Sequence, residues 1–313
     1  MLGEGTEGCV ATIGGFDGVH RGHGHVLSKV SSIASQRCLD AVAVTFANHP
    51  LTIVGDGHCP PLLSTAAEKE RLLRECGMDR VVMLNFTKEM SMMSAREFME
   101  RVLRNDLNVK VLVMGYDHRF GHDKDCAFDD YVRYGEDLGI EVVRGDEWRE
   151  GSGCTKFSSS EARRLLLDGD IETANNVLGY RYGFDGVVVG GFRVGRTIGF
   201  PTANVAVDSP VKLVPKCGVY AVVLSVLEGD GEGTYAGMMN IGYRPTLNNG
   251  KEQSIEVHAL DFAGDIYSAK VRIEFVARLR DERRFGSVDE LRIQLERDEA
   301  EVRRIMGNEQ SCK

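Results

Sequence analysis

The stretch CVATIGGFDGVHRGHGH (Cys9–His25) decides the fold of the first half of the chain. Its apolar start, CVATIG, is typical of a strand that is buried on both faces of a parallel sheet. A glycine-rich turn follows the strand, and then come the histidines His20, His23 and His25. Because ligands of α/β sheets bind beyond the carboxyl ends of the strands, this junction of strand and helix is a candidate binding site.

Four more apolar runs of this type follow, with helix-like segments between them. The runs are AVAVTF (41–46), RVVML (80–84), KVLVMG (110–115) and IEVV (140–143). Two of the helices begin with a capping box, Thr65 with Glu68 and Ser94 with Glu97, in which side chains satisfy the free amides of the first turn. The alternation of strands and helices up to about Ser160 predicts an open, doubly wound α/β domain.

The periodicity changes after SSSEARRLLLDGDIETANNVLG (158–179), which predicts two short connecting helices. Beyond it, strand-like pieces alternate with turns rich in Gly, Asn and Asp, and they predict a small antiparallel barrel or sandwich. The five pieces are FDGVVVGG (184–191), GVYAVVLSVL (218–227), GTYAGMMNIG (233–242), QSIEVHALDF (253–262) and AKVRIEFVARL (269–279). A final helix, 287–306, opens with the capping pair Ser287 and Glu290.

Composition excludes several classes of partner. The net charge of −9 argues against broad binding to nucleic-acid phosphates, although a local pocket for a small phosphorylated ligand is compatible with it. No apolar run approaches the ~20 residues of a membrane helix, and the first residues lack the pattern of a secretory signal. The eight cysteines contain no C-x-x-C pair, which fits a reducing cytoplasm. We therefore expect a cytoplasmic protein without a nucleic-acid or membrane partner, and the sequence predicts no particular oligomeric state.

The segment GGFDGVHRGH (14–23) has the features of a phosphate-binding loop. Glycines let the backbone turn tightly and approach a ligand, and a helix start offers free N–H groups to an anion. His20 and His23 are three residues apart on the first turn, so both can donate to the phosphates of a nucleotide and stabilise a leaving pyrophosphate. A metal site would need further ligands nearby, and a solvent-exposed turn is the other alternative. Phosphate binding fits best.

The same segment resembles the H-x-G-H signature of the nucleotidylyltransferase superfamily, and its longer form, FDGVH, resembles bacterial FMN adenylyltransferases. Three further segments resemble that family in order: TFANHP (45–50), MGYDHRFG (114–121) and FSSSEARRLL (157–166). The resemblance implies that ATP phosphates are bound by Gly14, Gly15, Phe16, Gly18, Ser158, Ser159 and Arg163. It also implies that Phe46, His49 and Asp117 contact the flavin or the nucleotide, while ordinary packing at a strand end is the alternative for Phe46.

The chain departs from that family's pattern at four positions, Asn48, His118, Ser160 and Ala162. His118 replaces an aromatic residue that, by the resemblance, helps to line the flavin pocket. None of the four departures removes a group that would hold a phosphate.

The segment GRTIGFPTANV (195–205) is the most distinctive in the chain. Thr202 and Asn204 are two residues apart in an extended segment and project the same way, and their oxygens are ligands suited to Mg²⁺. A plain turn is the alternative. The element GFPTAN, however, resembles riboflavin kinases, which implies that Thr202 and Asn204 hold the metal and that Gly195 and Arg196 belong to a lid over the nucleotide phosphates.

Further segments resemble riboflavin kinases in order: GVYAV (218–222), MNIGYRPT (239–246), IEVHALDF (255–262) and LRDERRFGSVDEL (279–291). Alternation along IEVHA places Glu256 on the face opposite to the apolar side chains. An exposed strand glutamate is the alternative, but the resemblance implies that Glu256 is the catalytic base. It also implies that Arg280 and Phe285 flank the flavin ring, where a solvated charged run is the alternative.

The two resemblances together identify the chain as a member of the bifunctional bacterial riboflavin kinase/FMN adenylyltransferase (FAD synthetase) family. They imply a Rossmann-like adenylyltransferase domain (1–160), a helical connector (161–182) and a Greek-key β-barrel kinase domain with a C-terminal helix (183–313), in which PTANVAV or a turn segment supplies a sixth strand. The substrates would be riboflavin, FMN and ATP, with Mg²⁺. Three alternatives stay open: only one active site, a flavin- or nucleotide-binding regulator, or a different phosphate acceptor for the α/β domain.

Overall fold

A computed structural model describes residues 8–54, 59–123, 126–146, 157–190, 199–229, 231–245 and 251–310. The chain divides into two compact units, Met1–Ser159 and Ser160–Lys313. The predicted boundary at residue 160 lies next to this division, and the predicted connector falls inside the second unit.

Five strands form a parallel sheet within the described part of the first unit. They are β1 (Cys9–Ile13), β2 (Asp40–Phe46), β3 (Arg80–Leu84), β4 (Val109–Met114) and β5 (Glu141–Arg144). The order β3-β2-β1-β4-β5 confirms the doubly wound α/β prediction. Because the strand order reverses between β1 and β4, the crevice at their carboxyl ends is where a ligand is expected.

Helices cover the sheet: α1 (Arg21–Arg37), α2 (Leu51–Val54), α3 (Ala66–Glu75), α4 (Lys88–Ser91), α5 (Ala95–Phe98, continuing as a π-helical segment Met99–Asp106) and α6 (Phe128–Leu138). Both predicted capping boxes are present. Thr65 Oγ1 accepts from the Glu68 amide at 3.2 Å, and the Glu68 carboxylate accepts from the Thr65 amide at 2.8 Å. The Ser94–Glu97 pair repeats this arrangement. Each box satisfies amides that would otherwise lack partners at the helix start.

The second unit begins with the two predicted short helices, α7 (Ser159–Asp168) and α8 (Ile171–Leu178). Asn175 on α8 links the helix to the barrel: its amide donates to the Phe275 carbonyl at 2.9 Å, and its side-chain oxygen accepts from the Tyr182 amide at 2.7 Å. The predicted connector is therefore hydrogen-bonded to the barrel that follows it.

Six antiparallel strands of the described residues close a barrel in the order β10-β7-β6-β11-β8-β9. They are β6 (Gly183–Val189), β7 (Ala203–Val207), β8 (Gly218–Val226), β9 (Gly233–Pro245), β10 (Lys251–Ala259) and β11 (Lys270–Arg280). The meander β8-β9-β10 lies between β11 and β7, which makes the connectivity a Greek key. The sixth strand is β7, which is the ANVAV part of PTANVAV, and this decides between the two alternatives of PTANVAV and a turn segment. Within the described residues, no helix is long and apolar enough to cross a membrane.

The C-terminal helix, α9 (Val288–Gln310), packs against β9 and β11. At its start Ser287 Oγ accepts from the Glu290 amide at 3.2 Å, as predicted, but the Glu290 carboxylate accepts from the Gly286 amide at 2.9 Å. Further along, Asp298 accepts hydrogen bonds of 2.7–3.1 Å from Arg280 on β11. The Asp298 side chain is only 5% exposed and that of Arg280 is 19% exposed, so this ion pair is shielded from water.

We expect Asp298→Ala to lower the free energy of unfolding of the second unit by about 3 kcal/mol, because it leaves a buried guanidinium without its counter-charge. Native-state hydrogen exchange of the β11 amides measures this change. The control is Glu301→Ala, which breaks an exposed pair with Arg304 on the same helix and should have little effect. Equal losses in the two variants would contradict a special role for the buried pair.

Candidate active sites

The loop between β1 and α1 is bent tightly by residues in left-handed backbone conformations. Phe16, Gly18 and Val19 have φ of 45°, 76° and 35°. Such conformations are uncommon for residues other than glycine and gather at binding sites. A Cβ on Gly14 would lie 3.0 Å from the Phe16 ring, so glycine allows this ring to fold back over the strand end. The predicted phosphate-binding residues 14–16 and Gly18 all belong to this loop.

A buried carboxylate fixes the loop to the following segment. Asp17, which is 7% exposed, accepts from the amides of Leu63 and Ser64 at 3.1 and 3.0 Å and from Ser64 Oγ at 3.2 Å. Ser64 Oγ in turn accepts from the Gly18 amide at 3.0 Å. Ser159 Oγ donates to the Asp17 carbonyl at 2.8 Å, which commits the hydroxyl hydrogen of this predicted phosphate ligand to the loop.

The two predicted catalytic histidines are packed against each other. Their rings are stacked with centroids 3.7 Å apart, and His20 Nδ1 caps α1 by accepting from the His23 amide at 3.4 Å. Burial lowers the pKa of His20 to about 4. Burial lowers the pKa of His23 well below its usual value. Repulsion between the protonated forms of His23 and of His20, His118 and Lys69 lowers it further. Both rings are therefore neutral at pH 7, and since Nδ1 of His20 is an acceptor, its donor is Nε2–H.

Sequence reasoning missed Lys69, which brings a buried positive charge to this site. Lys69 on α3 is 8% exposed, and its Nζ donates to the Phe46 carbonyl at 3.0 Å. Burial lowers the pKa of Lys69, and the charge of Asp17 partly offsets this effect. The signal was present in the sequence, since Lys69 lies three and four residues before Leu72 and Leu73 and so shares their buried helix face.

An apolar cavity opens beside this loop at the carboxyl ends of β1 and β2. Its lining residues are Ile13, Phe46, Phe86, Met90, Ser91, Met93, Phe98, Phe120 and Gly121. Edge-to-face ring pairs form its walls, Phe46 with Phe86 at 5.3 Å and Phe98 with Phe120 at 5.4 Å. Phe46 thus both packs at the strand end and lines a cavity that suits a planar aromatic ring.

The remaining residues predicted for the first site lie in various environments. His49 Nδ1 accepts from the Leu51 amide at 3.2 Å at the start of α2, and His49 is not among the residues that line the cavity. Asp117 is exposed in the turn after β4, and Ser158 is half-buried before α7. Arg163 is on α7, in the second unit.

The departures at positions 48, 160 and 162 also have plain structural settings. The Asn48 side chain exchanges two hydrogen bonds with the backbone of Phe86, of 2.8 and 2.9 Å, and so holds one wall of the cavity. Ser160 is exposed and Ala162 is buried on α7.

In the second unit the structure brings together the three residues predicted for catalysis and metal binding. Thr202 Oγ1 donates to Glu256 Oε2 at 3.3 Å. Asn204 on β7 is the cross-strand partner of Glu256 on β10. The neighbours Ile255 and Val257 are buried while Glu256 is half-buried, which confirms the predicted alternation. Gly195 and Arg196 lie outside the described residues.

A cavity adjoins this cluster, and a histidine fixes its edge. The lining residues include Val188, Thr202, Asn204, Phe262, Asp265 and Tyr267. His258 Nδ1 lies 2.7 Å from the Pro201 carbonyl, and its ring packs edge-on against Phe200 at 5.4 Å. Sequence reasoning missed His258, although it lies two residues after Glu256 and hence on the same face of the strand.

The two residues predicted to flank a flavin ring, Arg280 and Phe285, lie close together. The guanidinium carbon of Arg280 is 5.9 Å from the Phe285 ring centre, and that of Arg283 is 4.6 Å from it. The hydrogen-bonding edge of Arg280 is committed to Asp298, so only its flat face is left for a ring.

The first unit carries a loop of the phosphate-binding type on a doubly wound sheet, and the second carries a Thr-Asn-Glu cluster on a closed barrel. Together they define a two-domain transferase that acts on nucleotides. Comparisons with known proteins agree in both halves. The family described as FAD synthetase matches residues 3–161, and the family described as riboflavin kinase matches residues 178–306.

The chain belongs to the bifunctional riboflavin kinase/FMN adenylyltransferase family. It is 38% identical over 301 residues to the Escherichia coli (strain K12) protein of that name, covering 96% of this chain and 94% of the relative. It is 35% identical over 321 residues to the Bacillus subtilis (strain 168) protein of that name, covering 98% and 96%. A crystal structure described as a macrolide-efflux protein from Streptococcus pneumoniae has a TM-score of 0.85 at 32% identity and covers 96% of this chain and 95% of that one.

Acidification should destabilise the first unit through His20. The pKa of His20 is about 4 in the folded protein, and its ordinary value, which applies in the unfolded chain, is 6.5. As the pH falls, the unfolded chain therefore binds the proton first. The loss of stability begins near pH 6.5 and ends near pH 4, and we expect it to reach about 3 kcal/mol for this group. Hydrogen exchange of the β1 amides, corrected for the intrinsic rate at each pH, measures it.

The matched control is His20→Asn, which keeps an acceptor at the helix start but does not titrate in this range. The pH dependence should be smaller in the variant by the His20 contribution. Identical pH dependence in the two proteins would show that His20 is not held neutral by burial.

Proposed function

We propose that the chain makes FAD from riboflavin in two ATP-dependent steps at two separate sites. The barrel site transfers the γ-phosphate of ATP to riboflavin, and the α/β site transfers AMP to the resulting FMN and releases pyrophosphate. One observation carries the proposal: each unit holds its own cluster of polar side chains near a cavity, His20 and His23 in the first and Thr202, Asn204 and Glu256 in the second. We assign residues 1–160 to the adenylyltransferase, 161–182 to the connector and 183–313 to the kinase.

At the first site, the loop 14–18 would lie against the ATP phosphates, and the start of α1 would supply backbone N–H groups to them. The amides of Gly14 and Gly18 would shape the loop instead, because they donate to the Val44 carbonyl and to Ser64 Oγ. His20 and His23, as neutral donors, would bind oxygens of the α- and β-phosphates and stabilise the pyrophosphate as it leaves. An FMN phosphate oxygen attacks the α-phosphorus, and the bond to the β-phosphate oxygen breaks without a covalent enzyme intermediate. Lys69 would add a positive charge that is fixed in place before the substrates bind.

The supporting residues of this site divide into two groups. Ser158 and Arg163 would contact the triphosphate, whereas Ser159 would act through the loop, because its hydroxyl donates to Asp17. The isoalloxazine ring of FMN would occupy the cavity lined by Phe46, with His49 and Asp117 near its rim or near the nucleotide.

At the second site, the Glu256 carboxylate would take the proton of the riboflavin 5′-hydroxyl as that oxygen attacks the γ-phosphorus. The bond from the γ-phosphorus to the bridging oxygen breaks, and ADP leaves. Gly195 and Arg196 would cover the nucleotide phosphates. Phe285 and the flat face of Arg280 would flank the flavin ring.

The residues at the second site fit a magnesium ion that is shared with the substrate. The described residues contain no group of three His, Cys, Asp or Glu side chains that would hold a metal alone. Thr202 and Asn204 offer neutral oxygen ligands, and Mg²⁺ is usually held by one or two protein groups together with substrate phosphates. When bound, the ion would neutralise phosphate charge. Thr202 and Asn204 would orient it, and the Thr202–Glu256 hydrogen bond would keep the base next to it.

A reducing, cytoplasmic location is part of the proposal. None of the described cysteines, Cys9, Cys38, Cys59, Cys76, Cys126 and Cys217, forms a disulfide. Burial raises the pKa of Cys9 to about 11, which makes this thiol unreactive.

The flavin products of wild type and two variants test the two-site scheme. With riboflavin, ATP and Mg²⁺, wild type should form FAD. His23→Ala should accumulate FMN, since loss of such a donor typically slows the chemical step about 100-fold or more. Glu256→Gln should leave riboflavin unchanged, since loss of a general base costs about 100- to 10,000-fold, yet it should convert added FMN to FAD. Chromatographic separation of the flavins measures each step.

The same assay distinguishes the alternatives. Accumulation of FMN by wild type would favour a single active site, and flavin binding without ATP consumption would favour a regulator. Consumption of ATP with an added phosphate compound other than FMN, but not with FMN, would indicate a different acceptor. Full kinase activity in Glu256→Gln would remove the base from the mechanism.

Replacement of Asn204 should raise the metal requirement of one activity only. In Asn204→Ala we expect the Mg²⁺ concentration for half-maximal kinase rate to rise about tenfold or more, since loss of even an outer-sphere partner costs about 10- to 100-fold in affinity. The Mg²⁺ dependence of FAD formation from FMN should not change. The exposed Asn176→Ala on α8 serves as a control. A kinase Mg²⁺ dependence equal to that of wild type would contradict the assignment.

A further inference from the structure

His118 lies near both the histidine pair and the aromatic cavity of the first unit. It follows β4, the neighbour of β1 in the sheet, and its amide donates to the Gly115 carbonyl at 3.1 Å in a tight turn. Its ring centre is 6.2 Å from that of Phe120, which lines the cavity. His118 is also close enough to His23 that a proton on His118 would lower the pKa of His23.

One ring nitrogen of His118 is buried and has no hydrogen-bond partner. Five buried side-chain nitrogens of the described residues are in this condition, and three of them belong to histidines of the first unit: His23 Nδ1, His25 Nε2 and His118 Nε2. Burial lowers the pKa of His118, so its ring is a neutral donor. Buried polar atoms nearly always have a partner. His118 does not line the cavity itself, but its ring neighbours Phe120, which does, so its unpartnered nitrogen is a candidate contact for a ligand atom.

The position of this nitrogen matches one part of the substrate, provided that the proposed function holds. FMN has a planar ring at one end and a phosphate at the other, joined by a flexible polyol chain. If the ring lies in the Phe46–Phe120 cavity and the leaving pyrophosphate lies at His20 and His23, then the FMN phosphate lies between them. His118 neighbours Phe120 of the cavity and interacts electrostatically with His23, so it is the residue we assign to that interval.

We propose that His118 Nε2–H donates a hydrogen bond to the phosphate of FMN and orients it for attack on the α-phosphorus of ATP. His118 transfers no proton. An FMN phosphate oxygen forms the new P–O bond, and the bond from the α-phosphorus to pyrophosphate breaks. The residue is thus a phosphate contact that distinguishes FMN from riboflavin, not merely a wall of the ring pocket.

The test uses the full-length protein and compares a flavin that has the phosphate with one that lacks it. FAD formation gives the KM for FMN and for ATP, and inhibition by 5′-deoxyriboflavin, which no kinase can phosphorylate, reports ring binding alone. In His118→Phe we expect the KM for FMN to rise about tenfold or more, the loss typical of a hydrogen bond to a charged group. The KM for ATP and the inhibition constant of 5′-deoxyriboflavin should stay within about twofold of wild type.

The matched variant is His118→Gln, whose amide N–H reaches about as far as Nε2–H. It should keep the KM for FMN within about threefold of wild type, a rescue that a purely structural role would not give. An unchanged KM for FMN in His118→Phe overturns the inference. So does an equal rise in the KM for FMN and in the inhibition constant of 5′-deoxyriboflavin, because that result places His118 against the ring. If wild type forms no FAD from FMN and ATP, the proposed function itself is overturned. If wild type forms FAD, the results for the His118 variants test the role of His118 alone.

Discussion

The whole first site depends on the buried carboxylate of Asp17. Its hydrogen bonds to Leu63 and Ser64 hold a loop whose backbone is bent into left-handed conformations at three positions. Such a loop is stable only where the surrounding structure fixes it. Once fixed, the loop places His20 at the start of α1, next to the carboxyl ends of β1 and β4. Binding energy then need not be spent on ordering the loop.

Burial is the second constraint, and it determines the chemistry of both sites. Desolvation keeps His20, His23 and His118 neutral, and it also lowers the pKa of the buried Lys69 amine beside them, an effect that the charge of Asp17 partly offsets. In a site with little water, each of these dipoles and charges acts more strongly than it would in solution. The second site uses neutral oxygens from Thr202 and Asn204 beside one carboxylate, which suits a substrate that brings its own phosphates.

The sequence predicted the α/β sheet strand by strand, because continuous Val and Ile runs report burial on both faces. It also predicted both connecting helices and the barrel. The strand β7 was harder to predict, because Pro201 and Thr202 precede it and only the five residues Ala203–Val207 form the strand. The partners of Asp17, Arg280 and His258 were not predictable, because these contacts join residues 47, 18 and 57 positions apart in sequence. Local sequence patterns do not indicate contacts between residues that are so far apart along the chain.

Barrel closure has a consequence for the order in which the protein is made. The strand β11 pairs with both β6 and β8, so Phe184 gains its neighbour Ile273 only after the chain up to the end of β11 has been synthesised. The cluster of Thr202 and Glu256 likewise needs β10. Domains generally fold as units during translation, beginning from the N-terminus. On the ribosome, the first unit therefore has its five described strands available while the second unit is still incomplete. The unit that catalyses the second reaction, adenylyl transfer to FMN, is thus the first to be assembled.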